Sequence, residues 1–155
     1  LQLECGFNLL FYGPGSKTHA LNSFRSFLND YNYSIFVIHG FNIIDIKKIE
    51  ATFTQFEKLS TNYKIIFILC IDLVWGHSRE FGALSKIMNS CVKKNIGLVA
   101  SFDNINSSLV WNLTDRAFYR WVYHPCITFE NYCVETKNSI PIMTMGNKEN
   151  SVNAL

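Results

Sequence analysis

Lys17 and Thr18, preceded by Gly13, Pro14, Gly15 and Ser16, are the residues of this 155-residue chain whose types come nearest to phosphate chemistry. A working phosphate loop, G-x-x-x-x-G-K-[ST], wraps phosphates in backbone N–H groups, brings a lysine to the β- and γ-phosphates and holds Mg²⁺ through its last hydroxyl. Lys17 and Thr18 fit that ending, but Phe11 and Ser16 fill the two glycine positions. Gly13 and Gly15 stand out of place, and Pro14 removes another N–H donor. One reading is a bound nucleotide on an eccentric loop. The other is a tight strand-to-helix turn whose glycines tolerate positive φ. On the second reading, Lys17 merely sits beside the turn. Lys17→Ala should then leave stability almost unchanged, whereas Gly13→Val or Gly15→Val should cost about 1–3 kcal/mol.

Hydrolysis also needs a carboxylate for the metal and a neighbouring one to orient water, normally an Asp-Glu pair ending the third strand. Here that stretch is KIIFILCIDLVW, in which Asp72 is followed by Leu73 and the next acid is Glu80. The two defects together favour a loop that has lost catalysis.

The elements that must carry these residues are legible as alternating patterns. Five runs read as strands buried on both faces: Phe7 to Tyr12, Tyr33 to His39, Lys64 to Ile71, Asn95 to Phe102 and Phe118 to His124. Between them, Leu21, Phe24 and Leu28, then Ile46, Ile49, Phe53 and Phe56, then Phe81, Leu84, Met88 and Cys91 recur at helical spacing. Strand and helix in alternation predict a parallel sheet with helices on both sides. After Glu135 the pattern fades into a tail rich in Asn, Ser and Lys, so one domain over residues 1–136 and a loosely ordered tail over 137–155 are expected.

Composition excludes little but narrows the class. The chain is 48% hydrophobic and 17% charged with net charge +2, so nucleic acid is not demanded as the sole partner. Five scattered cysteines argue for a reducing compartment rather than a disulfide framework. No apolar run reaches the roughly 20 residues of a membrane span. Thirteen Phe and seven Tyr are many for this length, which suggests a large aromatic core or ring surface kept for a partner.

GFNLLFYGPGSKTHALNSF resembles the degenerate nucleotide loop of the origin recognition complex subunit 2 family, which shows an F-N-h-h-h-Y-G-h-G-S-K run with h apolar. FVIHGFNIIDIKKI resembles that family's second strand and Gly-Phe pair, here Gly40-Phe41. IGLVASFDNINSSLVWN resembles its fourth strand and the following Asp-x-x-Asn and Trp, here Asp103, Asn106 and Trp111. FYRWVYHPCITFENYCVET is similar to the aromatic run with an acidic end that closes the family's core. The four blocks occur in order over about residues 5–136. Three departures stand out: Thr18 replaces a basic residue, the stretch between Gly40 and Lys64 is short, and the last twenty residues match nothing in the family.

The resemblance implies a three-layer, AAA+-like core of the P-loop NTPase type around a parallel five-stranded sheet; as a departure from the family, no lid and no winged-helix domain, which should follow such a core, are expected in this chain. It implies no catalytic residue, no cofactor and no metal, with Gly13, Gly15, Ser16, Lys17 and Thr18 forming a degenerate loop. It also implies a nuclear, non-catalytic subunit that helps mark replication origins and assemble the licensing machinery. Its partners would be other origin recognition complex subunits, above all subunit 3, with origin DNA bound by the complex and no membrane involved. The alternative is a P-loop ATPase with an atypical loop, and a third reading is a stand-alone α/β interaction module.

Other constellations are weaker. His124, Cys126 and Cys133 lack zinc-ligand spacing, and His19, His39 and His77 come with no nucleophile elbow. Lys93 and Lys94 read as solvated surface. Arg116 and Arg120, flanked by Trp111, Phe118 and Trp121, are the leading interface candidates, because arginine and aromatic residues dominate interface anchors. Trp111, Arg116, Arg120 and Trp121 are therefore expected to help form a surface for another subunit.

Overall fold

The computed structural model describes residues 2–42, 46–60, 63–75 and 78–136. The first strand, β1, spans Asn8–Tyr12, and helix α1 follows it over Thr18–Asp30. Strand β2 (Ser34–His39) leads into helix α2 (Ile46–Glu57) through a short 3₁₀ turn at Gly40–Asn42. Strand β3 (Lys64–Leu69) is followed by a short α3 (Asp72–Trp75) and the long α4 (Ser78–Lys93). Strand β4 (Gly97–Phe102), the short helices α5 (Ser107–Val110) and α6 (Leu113–Tyr119), and strand β5 (Trp121–Pro125) complete the described elements. The expected tail, residues 137–155, lies outside the described residues.

All five strands are parallel, in the order β2-β3-β4-β1-β5. Parallel pairing forces each connection across a sheet face, and both faces are covered, so the strands can be apolar on both sides. In β3 the consequence is explicit. Ile65, Phe67 and Leu69 pack with Leu21 and Leu28 of α1, while Ile66 and Ile68 pack with Phe53 and Phe56 of α2 and Leu84, Ile87 and Met88 of α4. Each such side chain contributes about 1.5–3 kcal/mol on full burial, and β3 supplies five of them.

Two polar devices align the strand ends. The Asn8 side-chain amide donates to the Tyr119 carbonyl at 2.6 Å and its oxygen accepts the Leu98 N–H at 2.8 Å, tying β1 to β4 and to the entry of β5. Ser101 Oγ accepts the Cys70 N–H at 2.7 Å, holding the ends of β3 and β4 together. Gly40 is required at its position because a Cβ there would lie 2.1 Å from the Cys70 carbonyl oxygen. That close approach gives the Gly40-Phe41 pair its physical reason.

One expected boundary moves. Phe118 and Tyr119 belong to α6 rather than to the last strand, and Arg120 closes that helix in the left-handed conformation at φ 50° before β5 begins at Trp121. Asn112 caps the other end of α6 by accepting the Asp115 N–H at 2.8 Å, a capping arrangement worth about 1 kcal/mol.

Candidate functional site: a loop filled by its own chain

The turn between β1 and α1 lies at the carboxyl edge of the sheet, where a P-loop fold would hold its phosphates. Gly13 and Gly15 both have positive φ, 126° and 97°, so the glycines are needed for the backbone path. Three N–H groups of this turn, those of Gly13, Gly15 and Ser16, are spent on the chain itself. The segment after β5 runs alongside the turn and extends the β1–β5 pairing beyond the sheet. Cys126 N–H donates to the Tyr12 carbonyl at 2.7 Å, Thr128 N–H to the Pro14 carbonyl at 3.3 Å, and Ser16 N–H to the Glu130 carbonyl at 3.1 Å. On the turn's other side, Gly13 N–H donates to the Phe102 carbonyl of β4 at 3.1 Å. Gly15 N–H donates to the Tyr132 hydroxyl at 2.7 Å. With these three N–H groups paired, the turn does not offer them as a nest for an anion.

Lys17 completes the closure from within. Its side chain is 1% exposed, and its ammonium donates to the Gly13 carbonyl, to the Gly15 carbonyl at 2.9 Å and to Asp103 Oδ1 at 2.7 Å. All three ammonium donors are engaged, so the lysine reaches back into its own turn instead of toward a phosphate. This corrects the expectation that Lys17 merely sits beside the turn: it is the fully buried cation that binds the turn's carbonyls to the end of β4.

Glu135 supplies the matching anion. Its Oε1 accepts the hydroxyls of Ser16 and, at 2.8 Å, Thr18. Burial, the largest single influence, would raise its pKa, but the Ser16 and Thr18 hydroxyls, a backbone hydrogen bond and the Lys17 charge together hold the carboxyl below its ordinary value. The hydroxyl that would hold Mg²⁺ in a working loop is therefore bound to a carboxylate of the same chain. Asp72, the first residue of α3, shows the opposite behaviour. Burial and the neighbouring Asp103 raise its pKa, and its Oδ1 is buried without a hydrogen-bond partner among the described residues. Burial also pushes the nearby Cys70 thiol up to about 12, leaving it a poor nucleophile. These residues do not fit a triphosphate with its metal.

The expected interface group separates. Trp111 and Trp121 are 4% and 7% exposed and pack on each other and on Tyr119, with Trp111 and Trp121 ring centroids 5.6 Å apart. Both belong to the core cluster that α2 and α4 also join, which corrects their assignment to a docking surface. Arg116 and Arg120 are exposed. Arg120 lies at the amino edge of the sheet, beside Gly6, Asn95 and Phe118, on the opposite side from the turn. Elsewhere, Lys94 pairs with Glu57 at 2.6 Å, and the His124 ring stacks on Phe11 with centroids 5.3 Å apart. Burial lowers the His39 pKa, and His77 lies outside the described residues.

Sequence reasoning missed Glu135, Tyr132 and Thr128 as the groups that close the turn. The signal available was the aromatic and acidic block after Pro125, whose hydroxyl and carboxyl residues are otherwise unexplained so close to an apolar strand.

The family model of the origin recognition complex subunit 2 RecA-like domain matches residues 1–66 and 46–126. Origin recognition complex subunit 2 of Rattus norvegicus is 25% identical over 174 residues, covering 94% of this chain and 29% of that protein. The Xenopus laevis protein is 26% identical, covering 94% of this chain and 30% of its own length. The chain thus spans about three tenths of these relatives. Among solved structures, a chain from the Drosophila ORC bound to DNA superposes with a TM-score of 0.62 at 23% identity, covering 87% of this chain and 89% of that one. AMPPCP-bound DnaA from Aquifex aeolicus superposes at 0.57 with 15% identity, covering 77% of this chain and 40% of its own. Both share the AAA+-like fold, a parallel five-stranded core between helical layers. With that family model matching most of its length, the chain belongs to the origin recognition complex subunit 2 family.

Proposed function

We propose that this chain is the AAA+-like core of a non-catalytic subunit of the origin recognition complex, acting in the nucleus to mark replication origins and to help assemble the licensing machinery. The observation that carries the non-catalytic part is the engagement of Lys17 with Gly13, Gly15 and Asp103. A lysine paired in that way, in a turn whose Gly13, Gly15 and Ser16 N–H groups are already bonded, has no free ammonium donor for a γ-phosphate. The carboxylates support the same reading, because Asp72 is followed in sequence by Leu73 rather than a glutamate, and the neighbouring Asp103 is paired with Lys17.

Its partners on this reading are the other subunits of the complex, with subunit 3 foremost and origin DNA bound by the assembly. The exposed Arg116 and Arg120 remain candidates for that contact, while Trp111 and Trp121 support it only by shaping the core beneath. The competing reading, an ATPase with an atypical loop, requires Lys17 to abandon its three acceptors before nucleotide could enter.

The test is reconstitution. The chain, co-expressed with the remaining origin complex subunits of the same organism, should co-purify with them in stoichiometric amount and add no ATPase activity of its own. Failure to co-purify would end the subunit reading. Hydrolysis by the isolated chain, abolished by Lys17→Ala, would favour the enzyme.

A further inference from the structure

Phe129 lies in the segment that closes the turn, and its side chain is 93% exposed. Its backbone is left-handed, with φ 54°, a conformation that a bulky aromatic residue rarely adopts. The backbone on either side of it is hydrogen-bonded to the turn. On one side, Thr128 Oγ1 donates to the Ser16 carbonyl at 2.7 Å. On the other, the Glu130 carbonyl accepts the Ser16 N–H at 3.1 Å. Gly15 permits the approach, since a Cβ there would lie 2.8 Å from the Phe129 nitrogen. The segment therefore holds an apolar ring in solvent, on pinned backbone, in a conformation that Asn or Gly would adopt at lower cost. Strain retained at a single exposed residue points to a use for that residue.

Charge selects the kind of partner. The ionisable acids and bases of residues 126–136 include Glu130 and Glu135 but no Lys or Arg, and Glu135 is turned inward onto Ser16 and Thr18. Glu130 is exposed beside the ring. A phosphate backbone or an anionic lipid surface would be repelled by this segment. An apolar pocket rimmed by a lysine or arginine on another protein would accept both the ring and the acid. Ile127 and Val134, 54% and 52% exposed, add apolar surface to the same segment.

We propose that Phe129 is a pre-organised anchor that inserts into a basic-rimmed apolar pocket on a neighbouring subunit of the origin recognition complex, with Glu130 pairing to that rim. The inference rests on the subunit reading above and gives it a contact residue. Because the ring's mount is built from the closed turn, the partner would read the closed state of the turn that replaces a bound nucleotide.

Phe129→Asn keeps the left-handed backbone and removes the ring. In the complex reconstituted from the same organism's subunits, this variant should weaken association about tenfold or more, as a buried aromatic anchor does. The melting temperature of the isolated chain should hold or rise, because backbone strain is relieved. Phe27→Ser, which removes an exposed ring of α1, should leave association unchanged. Association of Phe129→Asn at wild-type strength overturns the proposal while leaving the subunit reading intact. Failure of the wild-type chain to associate overturns both. A lowered melting temperature of isolated Phe129→Asn would overturn it too, because the ring would then be covered by the chain itself. Loss of affinity for short duplex DNA with subunit association retained would replace the protein pocket by nucleic acid.

Discussion

The Lys17 ammonium lies 2.7 Å from the Asp103 carboxylate, an ion pair that joins the turn after β1 to the end of β4 across two neighbouring strands. In a working P-loop that lysine serves the phosphates. Here it serves Asp103 and the carbonyls of Gly13 and Gly15, so the same residue type at the same place has become a structural cation. Lys17→Ala should therefore destabilise the chain by about 3 kcal/mol, since it leaves a carboxylate and two carbonyls without their donor. Lys17→Met, which keeps the aliphatic stem, should recover little of that loss. Chemical denaturation of the two variants is the measurement.

Glu135 and Asp72 should give opposite pH dependences. The Glu135 pKa is lowered in the folded chain, so its contribution is present above the ordinary value of 4.5 and is lost as pH falls through the lowered folded value. Glu135→Gln should cost about 1–2 kcal/mol at neutral pH, with the difference from wild type closing in acid. The Asp72 pKa is raised, so its contribution is present below the ordinary 3.8 and is lost as pH rises through the folded value. Asp72→Asn should accordingly raise the melting temperature at neutral pH and lose that advantage in acid. Melting curves from pH 3 to about 8 separate the two signs.

Gly15 should tolerate substitution less well than Gly13. A Cβ on Gly15 would meet Thr128 Oγ1 at 2.4 Å, whereas one on Gly13 would first meet the Ile127 side chain at 3.1 Å. Gly15→Ala should cost about 2–3 kcal/mol, more than Gly13→Ala, because it forces the segment after β5 off the turn as well as straining φ. Thermal melts of the two alanine variants decide the order.

The strands were legible because runs of Ile, Leu, Val and Phe buried on both faces leave little else for those residues to be. The helices were legible from Leu21, Leu28, Phe53, Phe56, Leu84 and Met88, all of which the sheet covers. The start of β5 was misread because Phe118 and Tyr119 are as apolar as a strand, and only the left-handed Arg120 separates them from it. The turn's lost glycines were visible, but what replaced the nucleotide was not. Lys17 meets Asp103 86 residues away and Ser16 meets Glu135 119 residues away, and no local pattern encodes contacts of that range. The tryptophans misled for a related reason: amphipathic rings suit a core and an interface equally, and packing alone decides.

The two halves of the expected interface should therefore part in experiment. Trp121→Ala and Trp111→Ala should each lower stability by about 3–5 kcal/mol, as deletion of a buried indole does. Arg116→Ala should leave the stability within about 0.5 kcal/mol of wild type, as expected for an exposed side chain. Melting of the isolated variants, set beside their co-purification with the other subunits, distinguishes lost folding from lost contact.

Closure of the turn by its own chain is tested most directly by calorimetric titration of Mg-ATP into the folded chain. With Lys17 held by Asp103, the N–H groups of Gly15 and Ser16 bonded to Tyr132 and Glu130, and Thr18 bonded to Glu135, no saturable heat should appear at millimolar nucleotide. Saturable binding in the low micromolar range, lost in Lys17→Ala, would contradict it.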